Sequence, residues 1–280
     1  VFKKENWSQV NVIVGPNGSG KTLIANQLAH QFANAGYSVR LFNTDLIDEE
    51  DIYYSLNKNE KIRTKIEDIL STMFAKEIRF EKGSDNSIIP VAVNKTHGIE
   101  YSITKDECHG LKKIIALLST LYVEEQNANC LMIDEPELHL HPQFQNFFMS
   151  EIRRLAKENP TRLFFIATHS PFFIDLKSPD ELLGVIVCHI NSVATSIDKL
   201  SENDYLLFKK FLPRFNSYHK QFFFSDNQIF VEGYTDQQIL STILTNLGFP
   251  YNSSGTGIID VGGKDELGVF FKVCSLLGTN

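Results

Sequence analysis

VNVIVGPNGSGKT, residues 10–22, decides the fold. Its first five residues, VNVIV, are an apolar, β-branched run interrupted only by Asn11 that stops at Gly15, the pattern of a strand covered on both faces of a parallel sheet. GPNGSGKT follows at once and satisfies G-x-x-x-x-G-K-[ST]; apolar residues at helical spacing then run from Leu23 to Ala35, before Gly36. Strand, glycine-rich loop and helix in that order make an anion cradle, because glycines let successive backbone N–H groups and the helix N-terminus converge on a phosphate. Gly15, Asn17, Gly18, Ser19 and Gly20 are the expected cradle, Lys21 the residue that reaches the β/γ oxygens, and Thr22 the expected Mg²⁺ ligand. The bland alternative, a turn that binds nothing, is disfavoured by the strand and helix on its two sides.

Two further apolar runs carry chemistry to the same sheet edge. CLMIDEPELHLHP, residues 130–142, delivers Asp134 and Glu135 to the C-terminal end of a strand, where ligands of α/β sheets gather. Beside a phosphate cradle, Asp134 is expected to hold Mg²⁺ and Glu135 to polarise an attacking water. LFFIATHSP, residues 163–171, ends another strand at Thr168, His169 and Ser170, which makes His169 a candidate γ-phosphate contact. His139 and His141 have H-x-H spacing, but in a Pro-flanked turn without a third obvious ligand the structural reading is preferred.

Around these motifs the chain alternates strands and helices, which predicts an α/β sheet. SVRLF, residues 38–42, reads as a strand, Lys58 to Lys76 as a charged helix, and EIRF, SIIPVAV and IEYSIT as alternating antiparallel strands. The stretch 46–106 is therefore expected to be a small antiparallel β insertion on a first domain at 1–200. Leu111, Ile114, Ile115, Leu118 and Leu121 share one helical face, and ELLGVIVCHI reads as a further strand. Residues 201–226 are expected to be a linker helix, and 227–280 to open a second strand–helix–strand unit with a helix over 236–247.

A formal charge of −7 argues against nucleic-acid binding by bulk positive charge, so contact with DNA would be local or bridged by metal. The four cysteines are scattered without C-x-x-C spacing, which points to neither zinc nor a disulfide framework and fits a reducing cytosol. No apolar run approaches the roughly 18 residues that a membrane span needs, so a soluble, cytoplasmic protein with no membrane contact is expected.

GPNGSGKT, LMIDEPELHLHP and IATHSP together resemble the Walker A, Walker B with D-loop, and H-loop of an ABC-type ATPase head, as in the RecF, SMC and Rad50 group. The resemblance implies ATP and Mg²⁺ as cofactors and a homodimer whose heads sandwich two nucleotides. A signature helix then faces the other subunit's γ-phosphate. ECHGLKKIIALL, residues 107–118, supplies that helix with Gly110 at its start, although Cys108 and His109 replace the usual serine and small residue. No glutamine lies between Gln31 and Gln126, so Asn43 is the nearest substitute for the Q-loop. Too few residues separate Lys21 from Gly110 for a long coiled-coil arm.

IFVEGYTD, residues 229–236, ends a short strand in Glu232, a glycine and Asp236 in the first turn of the next helix. Such a pair suits Mg²⁺ or Mn²⁺, which prefer hard oxygen ligands; equally, Asp236 complements a helix dipole with Thr235 as cap. VEGYTD followed by a helix, GIIDVGG and Lys264 resembles the opening of a Toprim domain. An ABC head joined to a Toprim strand resembles the OLD (overcoming lysogenisation defect) family, which includes Gabija-type antiphage effectors. It implies a DNA endonuclease with Glu232 as catalytic ligand and Glu232 with Asp236 on the metal, DNA as substrate, a defence-system partner protein, and assembly as a dimer or higher oligomer. A complete Toprim site also has a D-x-D at a later strand; the sequence stops at SLLGTN, so the unit is expected to be truncated before that motif. The other reading is a nucleotide-dependent sensor or scaffold whose Toprim fold is inactive and binds a partner protein.

Overall fold

The computed structural model describes residues 2–44, 49–74, 76–83, 88–94, 97–106, 109–190, 192–251 and 255–279. β1 (Val10–Val14) leads into α1 (Lys21–Asn34) and β2 (Val39–Asn43). α2 (Glu49–Lys58), α3 (Glu60–Met73), β3 (Lys76–Lys82), β4 (Ile88–Asn94), β5 (Ile99–Ser102) and α4 (Ile103–Asp106) follow. α5 (His109–Asn127), β6 (Cys130–Asp134), α6 (Pro142–Glu158), β7 (Leu163–Ala167), β8 (Val185–Val187) and β9 (Thr195–Ser196) return to the main sheet. α7 (Glu202–Phe211) precedes the last unit, β10 (Asn227–Val231), α8 (Tyr234–Asn246), β11 (Thr256–Asp260) and α9 (Leu267–Leu277).

The main sheet runs β2-β6-β7-β1-β8-β9, parallel except for β9. Alternate residues of its strands feed two cores, as a period of two requires. Ile13, Cys130, Met132, Phe165 and Ile186 pack with Ala25, Leu28 and Phe32 of α1. Val12, Val14, Leu131, Ile133, Phe164 and Ile166 pack with α5 and α6 on the other face. Every residue of β6 is buried, which explains why it reads as an unbroken apolar run ending in a carboxylate. On the α1 face, Trp7 stands 5.2 Å from Phe32 and 5.3 Å from Phe165, both edge-on.

β3-β4-β5 form the expected antiparallel insertion. Instead of one helix at 58–76, two helices meet at Asn59, whose side chain accepts the Ile62 N–H and caps α3. ELLGVIVCHI is strand only over Val185–Val187, because Pro179 starts a 3-10 turn through Gly184. The expected linker helix ends at Phe211; Pro213 follows and the rest of the link is two 3-10 turns. Its phenylalanines dock the last unit onto the head: Phe211, Phe215 and Phe222 lie 5.1, 5.9 and 6.3 Å from Phe270 of α9. β10 and β11 pair in parallel, so α8 is a crossover helix.

Candidate nucleotide and metal sites

The glycine-rich loop closes between β1 and α1 with backbone that only glycine adopts cheaply. Gly18 and Gly20 have φ of 78° and 84°. A Cβ on Gly15, at φ 147°, would sit 2.3 Å from the Cys188 carbonyl oxygen. Inside this loop Lys21 is only 6% exposed, and its Nζ donates to the carbonyls of Gly15 (2.8 Å) and Pro16 (2.9 Å). Burial lowers its pKa to about 8, opposed by the negative fields of Cys188, Glu137, Glu135 and Asp134. The Ser19 hydroxyl oxygen is buried without a partner.

β6 brings Asp134 against this loop. Its Oδ2 accepts the Thr22 hydroxyl at 3.0 Å and the Asn43 amide at 3.5 Å, and β2 pairs with β6 so that Asn43 and Asp134 are in register. Asp134 is 3% exposed, its Oδ1 has no partner, and burial raises its pKa. A buried carboxylate oxygen without a donor, beside a threonine hydroxyl and a lysine, fits a hard divalent cation. Thr22 and Asp134 are the residues that would hold it, with Asn43 beside them.

Glu135 takes φ 52°, left-handed backbone that costs a non-glycine residue about 1 kcal/mol or more. Two contacts impose it: its N–H extends the β6–β7 ladder to the Ala167 carbonyl at 2.8 Å, and its carbonyl accepts the Thr44 hydroxyl at 2.6 Å. The turn aims the side chain across the strand ends, where Oε1 lies 3.3 Å from His169 Nε2. Burial lowers the His169 pKa, with Lys21 acting in the same direction, so the imidazole is neutral near pH 7.

Sequence reasoning missed Glu137. Its Oε2 accepts the Thr168 hydroxyl at 2.7 Å and its Oε1 the backbone N–H of His169, so this one side chain fastens the end of β7 to the turn after β6. Burial raises its pKa against those two bonds. As the third acid of the DEPE run it carried no signal of its own, since its partners lie more than thirty positions away. Glu137→Ala should cost about 1–3 kcal/mol in urea unfolding, because it strands two buried donors. It should also slow ATP turnover more than it weakens ATP binding. Unchanged stability would show that the two bonds are replaced by water.

Gly110 lies in the first turn of α5, where a Cβ would stand 3.5 Å from the His139 carbonyl; Cys108 lies outside the described residues, as does the side chain of His109. Lys113 of the same helix donates to the Thr44 carbonyl, so α5 is tied to the end of β2. His141 caps α6 by accepting the Gln143 N–H at 3.3 Å, and His139 adopts φ 63°.

In the last unit β10 ends at Val231, paired with Asp260 of β11, so Glu232 and Asp260 leave neighbouring strands at the same edge. Gly233, not Thr235, is the N-cap of α8; Thr235 is inside the first turn, with Asp236 next to it. Gln237 anchors that turn by donating to the Ile258 carbonyl at 2.7 Å and to the Tyr218 hydroxyl. Glu232 and Asp236 are exposed, and Asp260 Oδ1 accepts the Gly262 N–H at 2.8 Å. Among the described residues no three acidic, histidine or cysteine side chains gather as a metal-binding group. The structure thus unites Lys21, Thr22, Asn43, Asp134, Glu135 and His169 at one edge, and sets Glu232 and Asp236 at the edge of a second sheet.

Comparison with known proteins follows this division. Residues 81–174 match the AAA ATPase domain, residues 3–96 the family described as novel STAND NTPase 3, and residues 223–280 the Toprim domain of overcoming-lysogenization-defect-like proteins. The matched regions are thus an ATPase domain followed by a Toprim domain. In that order of domains the chain is similar to ATPase–Toprim proteins of the OLD family. The OLD nuclease of Thermus scotoductus is 26% identical over 151 residues, covering 52% of this chain and 28% of that relative, so the match spans less than a third of the relative's length. Among solved structures, Stu0660 of Streptococcus thermophilus aligns over 95% of both chains at 13% identity and a TM-score of 0.47. The SMC head domain from Thermotoga maritima aligns over 70% of this chain and 93% of its own, at 13% identity and a TM-score of 0.45. No helix among the described residues is long and apolar enough to cross a membrane.

Proposed function

We propose that the protein is an ATP-hydrolysing, metal-dependent DNA endonuclease of OLD type, in which nucleotide state in a homodimer of heads governs cleavage at the Toprim site. What supports this reading most is the convergence of Lys21, Thr22, Asp134, Glu135 and His169 on one sheet edge, in the same chain as a strand ending in Glu232. On binding ATP, Lys21 leaves the Gly15 and Pro16 carbonyls for the phosphate oxygens, and the loop amides around Asn17 to Gly20 cradle them. Thr22 and Asp134 would hold Mg²⁺, which would neutralise phosphate charge. Glu135 orients and deprotonates the attacking water, and neutral His169, held in place by Glu137, turns its single N–H from Glu135 to the γ-phosphate. Gly110 of a second copy faces that phosphate across the head dimer.

Glu232 and Asp236 would hold Mg²⁺ or Mn²⁺, which would supply Lewis-acid polarisation of a DNA phosphodiester. Antiphage defence is the setting the family resemblance suggests, with a partner protein from the same system. The competing reading, a nucleotide-dependent scaffold that holds such a partner, draws on one observation: α8 buries none of its residues and leaves Ile239, Ile243 and Leu247 exposed. Incubating supercoiled plasmid with the protein, ATP and Mg²⁺ or Mn²⁺ decides between them. Nicked or linear product supports the nuclease, and intact plasmid under all of these conditions favours the scaffold.

Lys21 gives a pH signature of the ATPase half. The free amine is depressed to about 8, and phosphate charge pulls it back up, so ATP binding takes up a proton above pH 8 and none from this group well below it. Calorimetry in two buffers of different ionisation enthalpy should show proton uptake at pH 9 and nearly none from this group at pH 7. The same uptake at both pH values would assign the protonation elsewhere.

A further inference from the structure

A cavity of about 390 Å³ opens beside the loop that is expected to hold the phosphates. On the head side it is lined by Pro16 and by His189 and Ile190, which follow β8; on the other side it is lined by Asp226, Asn227 and Gln228 at the start of β10. Its volume falls within the usual range for small-molecule sites. Apart from the Pro16 carbonyl that Lys21 gives up, no step of the ATPase chemistry uses these residues.

The direction of a bound nucleotide follows from the strand order. β7 and β6 lie on one side of β1 and β8 on the other. Asp134, Glu135 and His169 leave β6 and β7, so the terminal phosphate points to that side. The other end of the molecule then extends over β8, where the cavity begins at Pro16. Each part of a nucleoside meets suitable chemistry there. Ile190 is 44% exposed and offers an apolar surface to a base. The Gln228 amide donates to the carbonyls of Phe222 (3.2 Å) and Ser225 (2.7 Å), which ties the start of β10 to the turn before it and fixes that wall of the cavity. The Asp226 carboxylate is exposed and has no donor among the described residues, and carboxylates commonly receive ribose hydroxyls at nucleotide sites.

We propose that this cavity is the nucleoside subsite, and that the Toprim unit completes the ATP site of its own head through Asp226. The proposal rests on the ATP-binding reading and adds to it. Because the ribose is held by the residue that precedes β10, nucleotide occupancy bears directly on the strand that ends at Glu232.

The test compares Mg²⁺-ATP with Mg²⁺-tripolyphosphate by calorimetric titration of the protein and of Asp226→Ala, an exposed position whose backbone N–H alone is needed at the turn. ATP should bind at least about tenfold more tightly than tripolyphosphate. Asp226→Ala should weaken ATP by about tenfold and leave tripolyphosphate unchanged, as expected for the loss of a hydrogen bond to a charged group. Removing both ribose hydroxyls from ATP should cost the same factor in the wild type and nothing further in Asp226→Ala. Equal affinities for ATP and tripolyphosphate, or a variant that binds ATP like the wild type, would overturn the subsite while leaving the phosphate site standing. Binding of neither ligand would overturn the ATP reading itself, and this proposal with it.

Discussion

Glu135→Gln is expected to lower ATP turnover by about two to four orders of magnitude, the usual contribution of a positioned general base. Nucleotide affinity should stay within about threefold of wild type, because the substitution keeps the shape of the side chain and leaves the loop, Lys21 and Thr22 untouched. The geometry explains why the effect should be large. Glu135 is held in left-handed backbone by the Ala167 carbonyl and the Thr44 hydroxyl, so its carboxylate cannot drift from its place beside His169. Gln at this site can still meet His169, but it cannot take a proton from water. If the heads dimerise around nucleotide, the variant should also accumulate as an ATP-loaded dimer. Steady-state phosphate release measures the first expectation and light scattering with ATP the second. Turnover within about tenfold of wild type would remove Glu135 from the role of base.

The second large effect is expected at the other sheet. Glu232→Ala should reduce plasmid nicking by about a hundredfold or more, as expected when a metal-holding carboxylate is lost. ATP hydrolysis should remain within about twofold, since Glu232 is exposed and, among the described residues, contacts no group of the ATPase site and follows a strand that pairs with β11 alone. Asp236→Ala should fall between the two, because Asp236 also favours the start of α8 through the helix dipole. Excess chelator should abolish nicking by all forms, while added Mn²⁺ should partly restore Asp236→Ala but not Glu232→Ala. Nicking that survives Glu232→Ala unchanged would end the nuclease assignment and leave α8, with its exposed Ile239, Ile243 and Leu247, as the feature to explain.

The parts of the fold legible in the sequence are those where burial is nearly complete. β1, β6 and β7 are apolar on both faces, so each could be recognised as a run and each ends at the residues the chemistry needs. Elements with one weak face carry less signal. The pattern over 58–76 reads as a single helix, but Asn59 caps a new one there; the linker reads as a long helix, but Pro213 ends it and its phenylalanines dock against Phe270 instead. Thr235 looked like the cap of α8 because β-hydroxyl residues favour that position; the strand ends one turn earlier, and Gly233 takes it.

By itself the sequence determined the chemical inventory: a phosphate cradle ending in Lys21 and Thr22, acids at the ends of two strands, and their order along the chain. Those features are local, since a glycine-rich loop needs only the strand before it and the helix after it. Only the tertiary structure decided which of these groups meet. Strand register sets Asn43 beside Asp134, a left-handed turn sends Glu135 to His169, and a buried Glu137 joins two loops that sequence distance keeps apart. The order β6-β7-β1-β8 likewise sets which strands flank the cradle on each side, and packing of the last unit places Asp226 on the wall of the cavity beside Pro16. Such pairings depend on long-range packing of side chains, for which spacing along the chain carries no signal.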